Sequence, residues 1–187
     1  MKRLQSIIVL TLLVLSQYDV AAQNNKSGNA GTTSSGFTAS SAAFENNGNY
    51  PKLYTCDSTG IAPTLQWSGA PKETTHYAVT MHHIAKDGEK HVYIVLYDIP
   101  SSTTMLPNGM NGIGKWGFNT VNRQTQYAPP CSKGPGPKNY IITVYALSAA
   151  PVITVPQSQV SMGVLLDAIK NITLSRSAIN VTYSRPF

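Results

Sequence analysis

"HVYIVLYDI", residues 91–99, is the stretch that decides the fold. Val92, Tyr93, Ile94, Val95, Leu96 and Tyr97 follow one another without a polar interruption. β-Branched and aromatic side chains fit a pleated surface. A strand with both faces apolar belongs in the middle of a sheet covered on both sides. "NYIITVYAL" (139–147) has the same character, and "HYAVTMHHI" (76–84) is a third long strand. "TLQWSG" (64–69) reads as a shorter strand entering a turn, and "INVTYSR" (179–185) alternates as a final strand should. Turn-rich segments separate them: "YTCDSTGIAP" (54–63), the Gly-dense stretch 100–119, and the Pro-rich stretch 127–139. One helix is expected over 158–171, where Val160, Val164, Leu165, Ala168, Ile169 and Ile172 form a single apolar stripe that must face the sheet body. The sum is one mainly β domain over 37–187, a two-sheet antiparallel sandwich with a short C-terminal helix.

The N-terminal end has a different character. Lys2 and Arg3 precede the apolar run "IIVLTLLVL", and small residues at Val20 and Ala22 suit cleavage after Ala22. That order is the anatomy of a secretory signal peptide. The alternative, an uncleaved anchor, needs an apolar run of ~18–20 residues, which this one does not reach. Residues 23–36, "QNNKSGNAGTTSSG", have no apolar period and read as a disordered polar leader. No second apolar run follows, so the mature chain is expected to carry no transmembrane segment, with a periplasmic or extracellular destination. Cys56 and Cys131 are the two cysteines. An even count in an exported chain points to one disulfide, with two buried free thiols as the alternative.

The formal charge is +6, with fourteen Lys and Arg against eight Asp and Glu. Loss of residues 1–22 removes Lys2, Arg3 and Asp19 and leaves about +5. The basic residues are scattered and do not interleave with aromatics as a stripe, which argues against nucleic acid as a partner. No Gly-x-Ser-x-Gly elbow or His-Glu-x-x-His helix is present, and the acids are isolated, so no enzyme activity is expected. His82, His83 and His91 invite a metal reading, and His83 could face His91 across a hairpin. No cysteine or carboxylate cluster completes a ligand set, and Asp87 and Glu89 in the hairpin loop should point to solvent, so neither metal nor cofactor is expected.

Four blocks, "YTCDSTGIAPTLQWSGAP" (54–71), "VYIVLYDIPSSTTMLPNG" (92–109), "YAPPCSKGPGPKNYIITVYAL" (127–147) and "LLDAIKNITLSRSAINVTYSR" (165–185), follow each other in an order and spacing that resembles the phosphatidylethanolamine-binding protein family, specifically its bacterial Raf-kinase-inhibitor-like branch. The resemblance covers residues 37–186. It implies two antiparallel sheets, a short helix near the C-terminus, and an anion pocket at one end of the sandwich that binds phosphorylated head groups or other anions.

The family's pocket segments are largely rewritten here. Its Asp-Pro-Asp segment falls on His83, Ile84 and Ala85; the histidine of its Trp-x-His segment becomes Tyr93; and its Gly-x-His-Arg-Tyr segment falls on Pro137, Lys138, Asn139 and Tyr140, keeping only the tyrosine. Pro129 and Pro130 match the segment that walls the pocket. The resemblance therefore implies a ligand site made of His83, Tyr93, Pro130, Lys138 and Tyr140, in which one lost carboxylate is replaced by imidazole and one lost imidazole by a fixed positive charge. His82 and His83 point to opposite faces of a strand, so one at most joins that site. The expected partner is a small anion or a phospholipid head group, bound without catalysis. A protein-interaction or inhibitor module acting through loops 107–119 and 128–137 is the alternative, and a small secreted hydrolase a more distant one.

Overall fold

The protein was analysed as a computed structural model, which describes residues 36–133 and 136–185. The signal segment at 1–22 and the leader up to residue 35 lie outside the described residues. Among the described residues, nine strands and one α-helix follow in the order β1 (Thr38–Ser40), β2 (Gly48–Asn49), β3 (Leu65–Ser68), β4 (His76–Ile84), β5 (Lys90–Pro100), β6 (Met105–Leu106), β7 (Lys115–Trp116), β8 (Lys138–Leu147), α1 (Met162–Ile169) and β9 (Thr173–Tyr183). A small sheet has the order β1-β3-β6, and a large one the order β2-β9-β8-β4-β5-β7. All pairings are antiparallel except β2 with β9, which is parallel. The sandwich read from the sequence is therefore present, with one parallel edge.

The large sheet is buried on both faces, as the runs in β5 and β8 require. Its inner face places Val79, Met81, Ile94, Leu96, Ile142, Val144, Ile179 and Val181 against Leu65 and Trp67 of the small sheet and Leu106 of β6. Its outer face places Ala78, Val92, Val95, Tyr97, Tyr145 and Leu147 under Met162, Leu165 and Ile169 of α1. The helix is shorter than the 158–171 periodicity suggests. The Ser161 Oγ accepts the Val164 N–H at 3.1 Å and fixes the start. A 3-10 turn at Gln157–Gln159 takes up the preceding residues. Val160 stays buried, but its carbonyl leaves the helical pattern to accept the Phe118 N–H at 2.9 Å.

Three other differences come from pairing partners that the sequence does not display. The Gly-dense stretch 100–119 contains β6 and β7, each of two residues held by a longer neighbour. β9 begins at Thr173, before the alternating pattern starts, because β8 pairs with it from Leu147 to Lys138. β5 slips register against β4 twice, between Tyr77 and Val79 and between Met81 and His82. At the first slip Asp98 takes a left-handed φ of 59° and pairs with Lys115 Nζ at 2.8 Å.

Close approach fixes Gly117. A Cβ there would lie 2.3 Å from the Val160 carbonyl oxygen and 2.6 Å from Val95 Cγ1, so the chain leaving β7 passes directly between strand and helix entry. We expect Leu165→Ala to lower the unfolding free energy by roughly 2–5 kcal/mol, as large-to-small changes in filled cores do. Exposed Asp167→Ala on the same helix should stay within about 0.5 kcal/mol of wild type. Urea titration followed by tryptophan fluorescence measures both, and equal midpoints for the two variants would contradict the packing of α1.

Candidate functional site

Side-chain alternation brings the site together. On β4, Met81 faces the inner core, so His83 follows it on the same face and His82 takes the other. On β8, Ile142 and Tyr140 face inward, and Lys138 continues their row. β5 would put Tyr93 outward, because Ile94 is an inner residue. The register slip between Met81 and His82 changes this. Met81 pairs with Ile94, but His82 pairs with Val92, so Tyr93 is the extra residue of a β-bulge. The bulge lets Tyr93 and Ile94 both face inward and carries His91 to a position opposite His83. The inner row then runs past the edge of the core into a cavity of about 400 Å³.

Four rings line that cavity in sequence. His91 and His83 are stacked, with centroids 6.3 Å apart and planes 11° from parallel. His83 lies 5.5 Å from Tyr140, and Tyr140 lies 5.3 Å from Tyr93 in an edge-on contact. Behind the cavity the row continues through Tyr50, 6.2 Å from Tyr140. The His83 Nδ1 meets the Asn139 carbonyl at 2.8 Å. A carbonyl only accepts, so Nδ1 carries the proton and Nε2 is the nitrogen left for a ligand. The remaining lining comes from Ala85, Glu89, Thr120, Val121, Cys131, Ser132, Lys133 and Lys138.

The loop wall is held from behind. Cys56 and Cys131 form a disulfide with Cα atoms 5.2 Å apart. The Cys56 N–H donates to the Pro130 carbonyl at 3.1 Å, and the Ala128 N–H to the Tyr93 carbonyl at 3.0 Å. The Tyr127 hydroxyl donates its one proton to the Tyr54 carbonyl, so in the Tyr50–Tyr127 pair, 3.0 Å apart, Tyr50 is the donor. On the opposite wall the Thr120 N–H donates to the Val92 carbonyl and the Val92 N–H donates to Thr120 Oγ1. Buried Asn119 stiffens that loop: its Nδ2 donates to the Gln124 and Gln126 carbonyls while its Oδ1 accepts the Val121 and Asn122 N–H groups.

Two lysines and two imidazoles face the cavity against one carboxylate, Glu89, whose side chain is 66 % exposed and 3.9 Å from His91 Nε2. A pair that open adds little stability. Burial pushes the Tyr93 hydroxyl up to about 12, and burial followed by the neighbouring Tyr93 raises Tyr140 further. Both therefore remain neutral hydrogen-bond donors throughout the physiological range. Beyond the disulfide, the Tyr183 hydroxyl donates to Asp57 Oδ2 at 2.6 Å and Arg185 Nη2 meets Oδ1 at 2.7 Å. The hydrogen bond first, and then the guanidinium, hold the Asp57 carboxyl below the usual carboxylate range.

Of the residues expected at the site, His83, Tyr93, Lys138 and Tyr140 line this one cavity. Pro130 is not among the lining residues; it is buried, and it supports the wall through its carbonyl. Glu89, expected to point to solvent, contributes to the lining. His82 faces outward, and its buried Nδ1 has no partner among the described residues. His91 was legible as His83's hairpin partner. Thr120, Val121, Ser132 and Lys133 carried no signal, because their loops reach the cavity only through long-range contacts. No three of His, Cys, Asp and Glu converge as metal ligands among the described residues. No described helix is long and apolar enough to cross a membrane.

The family profile described as phosphatidylethanolamine-binding protein matches residues 40–184. The chain belongs to that family. The UPF0098 protein of Aquifex aeolicus is 34 % identical over 115 residues, which are 58 % of this chain and 66 % of that protein. The UPF0098 protein of Chlamydia muridarum is 27 % identical over 152 residues, covering 78 % of this chain and 97 % of its own. Among solved structures, the phosphatidylethanolamine-binding protein homologue CT736 of Chlamydia trachomatis superimposes with a TM-score of 0.73 at 22 % identity, covering 81 % of this chain and 99 % of that one. Escherichia coli YbcL gives 0.71 at 21 % identity, covering 80 % and 99 %. Within the family fold, this chain sets His83 where the resemblance puts an acid, Tyr93 where it puts a histidine, and Lys138 where it puts another.

Two pH predictions follow from these environments. A tyrosine whose folded pKa is raised adds stability that is complete below its unfolded value near 10 and is lost as pH climbs through the folded one. Tyr50, Tyr93, Tyr127 and Tyr140 are all raised. Absorbance at 295 nm should show them ionising late and together with alkaline unfolding; ionisation of every tyrosine in one simple step near pH 10 would contradict their burial. Asp57 has the opposite sign: its depressed pKa adds stability present above about pH 4 and lost as pH falls through the folded value. Tyr183→Phe should therefore be less stable than wild type at pH 7, with the gap narrowing by about pH 2. A gap that is constant with pH would place the effect in packing alone.

Proposed function

We propose that this chain binds a small oxyanion, free or as the phosphate or carboxylate head of a small organic molecule, in the cavity between β4, β5 and β8, without transforming it. The observation that carries the reading is the convergence of Lys138, Lys133, His83 and His91 on one cavity whose only lining acid among the described residues is Glu89. Lysine supplies a point charge, and the raised pKa values of Tyr93 and Tyr140 keep their hydroxyls as donors. The family name refers to binding of a phosphorylated head group, which supports the same chemistry. A volume of about 400 Å³ is in the range of sites that enclose an organic body as well as a charge. The signal-like N-terminal sequence and the disulfide support export, in keeping with a binding protein outside the reducing cytoplasm.

Thermal denaturation in increasing glycerol phosphate tests this, with sodium chloride at matched ionic strength as the control. Binding to the folded state raises Tm progressively with ligand. Lys138→Ala should weaken binding by about 10-fold or more, the loss expected for one charge-assisted contact. No rise in Tm, or a rise that Lys138→Ala leaves unchanged, would remove the cavity as the site.

A further inference from the structure

We propose that Ser132 is a ligand-contacting residue of this cavity, its hydroxyl held in place to hydrogen-bond an oxygen of the bound anion; the inference rests on the anion-binding reading above. Five buried side-chain atoms among the described residues have no hydrogen-bond partner: Trp67 Nε1, Thr74 Oγ1, Thr80 Oγ1, His82 Nδ1 and Ser132 Oγ. Of these residues, only Ser132 lines the cavity. It is 7 % exposed, so little water reaches it. A buried hydroxyl without a partner costs free energy in the unliganded protein, and that cost is relieved when a partner arrives.

The backbone leading into it is fixed. Cys131, its immediate neighbour, is tied to Cys56 by the disulfide, and the Pro130 carbonyl is held by the Cys56 N–H. Lys133 follows directly and also lines the cavity. The bridge thus sets two consecutive lining residues, one bearing a hydroxyl and one an ammonium, at the cavity that His83, Tyr140 and Lys138 line from the sheet. An ammonium attracts an anion from any direction, but a hydroxyl contributes only to an acceptor atom set within hydrogen-bond reach. Ser132 therefore favours an anion that reaches the lysines and its hydroxyl at once, as a polyatomic oxyanion does with separate oxygens.

The test measures binding of inorganic phosphate, glycerol phosphate and chloride by calorimetric titration to the wild type and to Ser132→Ala, Ser132→Thr and Lys138→Ala, together with the Tm of each unliganded protein. The two phosphate probes distinguish a free ion from an ester. Ser132→Ala should bind both about 10-fold or more weakly, with a smaller loss for chloride and an unliganded Tm equal to or above wild type. Ser132→Thr, which keeps the hydroxyl, should bind phosphate within about 3-fold of wild type, by the same reasoning. Phosphate binding by Ser132→Ala at wild-type strength overturns the proposal, and if Lys138→Ala is weakened in the same series the anion site itself stands. A fall in unliganded Tm of several degrees for Ser132→Ala also overturns it, since the hydroxyl would then be structural. If the wild type binds neither phosphate probe, the proposal and the anion-binding reading fall together.

Discussion

The alternation of side chains across a pleated strand, broken in β5 between Leu96 and Ile99 and again at Tyr93, is the constraint on which the rest of the molecule depends. β4, β5 and β8 each send alternate residues into two different cores, one shared with the small sheet and one shared with α1. That demand is met only in one register, since a slip by a single residue would exchange the two sets. The bulge uses the same rule in reverse. One extra residue in β5 changes the phase of everything before it, so His91 lies inward opposite His83 and Tyr93 joins the inner row beside Tyr140. Without it, β5 would present to the cavity neither of those side chains.

The sheet supplies a floor, but a cavity also needs walls that do not collapse onto it. Those walls are two loops of little intrinsic structure. One is pinned to the end of β5 by reciprocal Val92–Thr120 hydrogen bonds and stiffened by Asn119. The other is pinned by the Cys56–Cys131 bridge, by Tyr127 on the Tyr54 carbonyl, and by Ala128 on the Tyr93 carbonyl. The bridge joins residues 75 apart in sequence, so it constrains a long loop of the unfolded chain as well. Buried tyrosines fill the space behind, each needing a partner for its hydroxyl. Through Tyr50 and Tyr140 the aromatic row makes the core and the cavity floor one packed unit.

The charge pattern separates this chain from the pocket implied by the family resemblance. A carboxylate paired with imidazole can share a proton with a ligand, whereas lysine beside imidazole adds a fixed positive charge. The fold accommodates that exchange because His83 and Lys138 sit past the edge of the core on the inner row, while Tyr93 packs within it. Fold membership and the charge of the cavity are thus set by different residues on the same strands.

The sequence by itself determined the three long strands, the sandwich class, the family and the disulfide, because each is written in local pattern or in residues of few possible uses. Apolar runs at 92–97 and at 140–147, the second interrupted only by Thr143, suit strands covered on both faces, and two cysteines behind an export-like segment have one obvious pairing. Family spacing further brought His83, Tyr93, Lys138 and Tyr140 to one cavity. Tertiary structure alone decided the two-residue strands β2, β6 and β7, which exist only because a longer neighbour offers them hydrogen bonds. It also decided the bulge, which depends on packing across two sheets, and the contributions of Thr120, Val121, Ser132 and Lys133. Those residues lie in turn-rich segments with no periodicity, and a loop carries no record of the wall it will form until distant contacts fix where it passes.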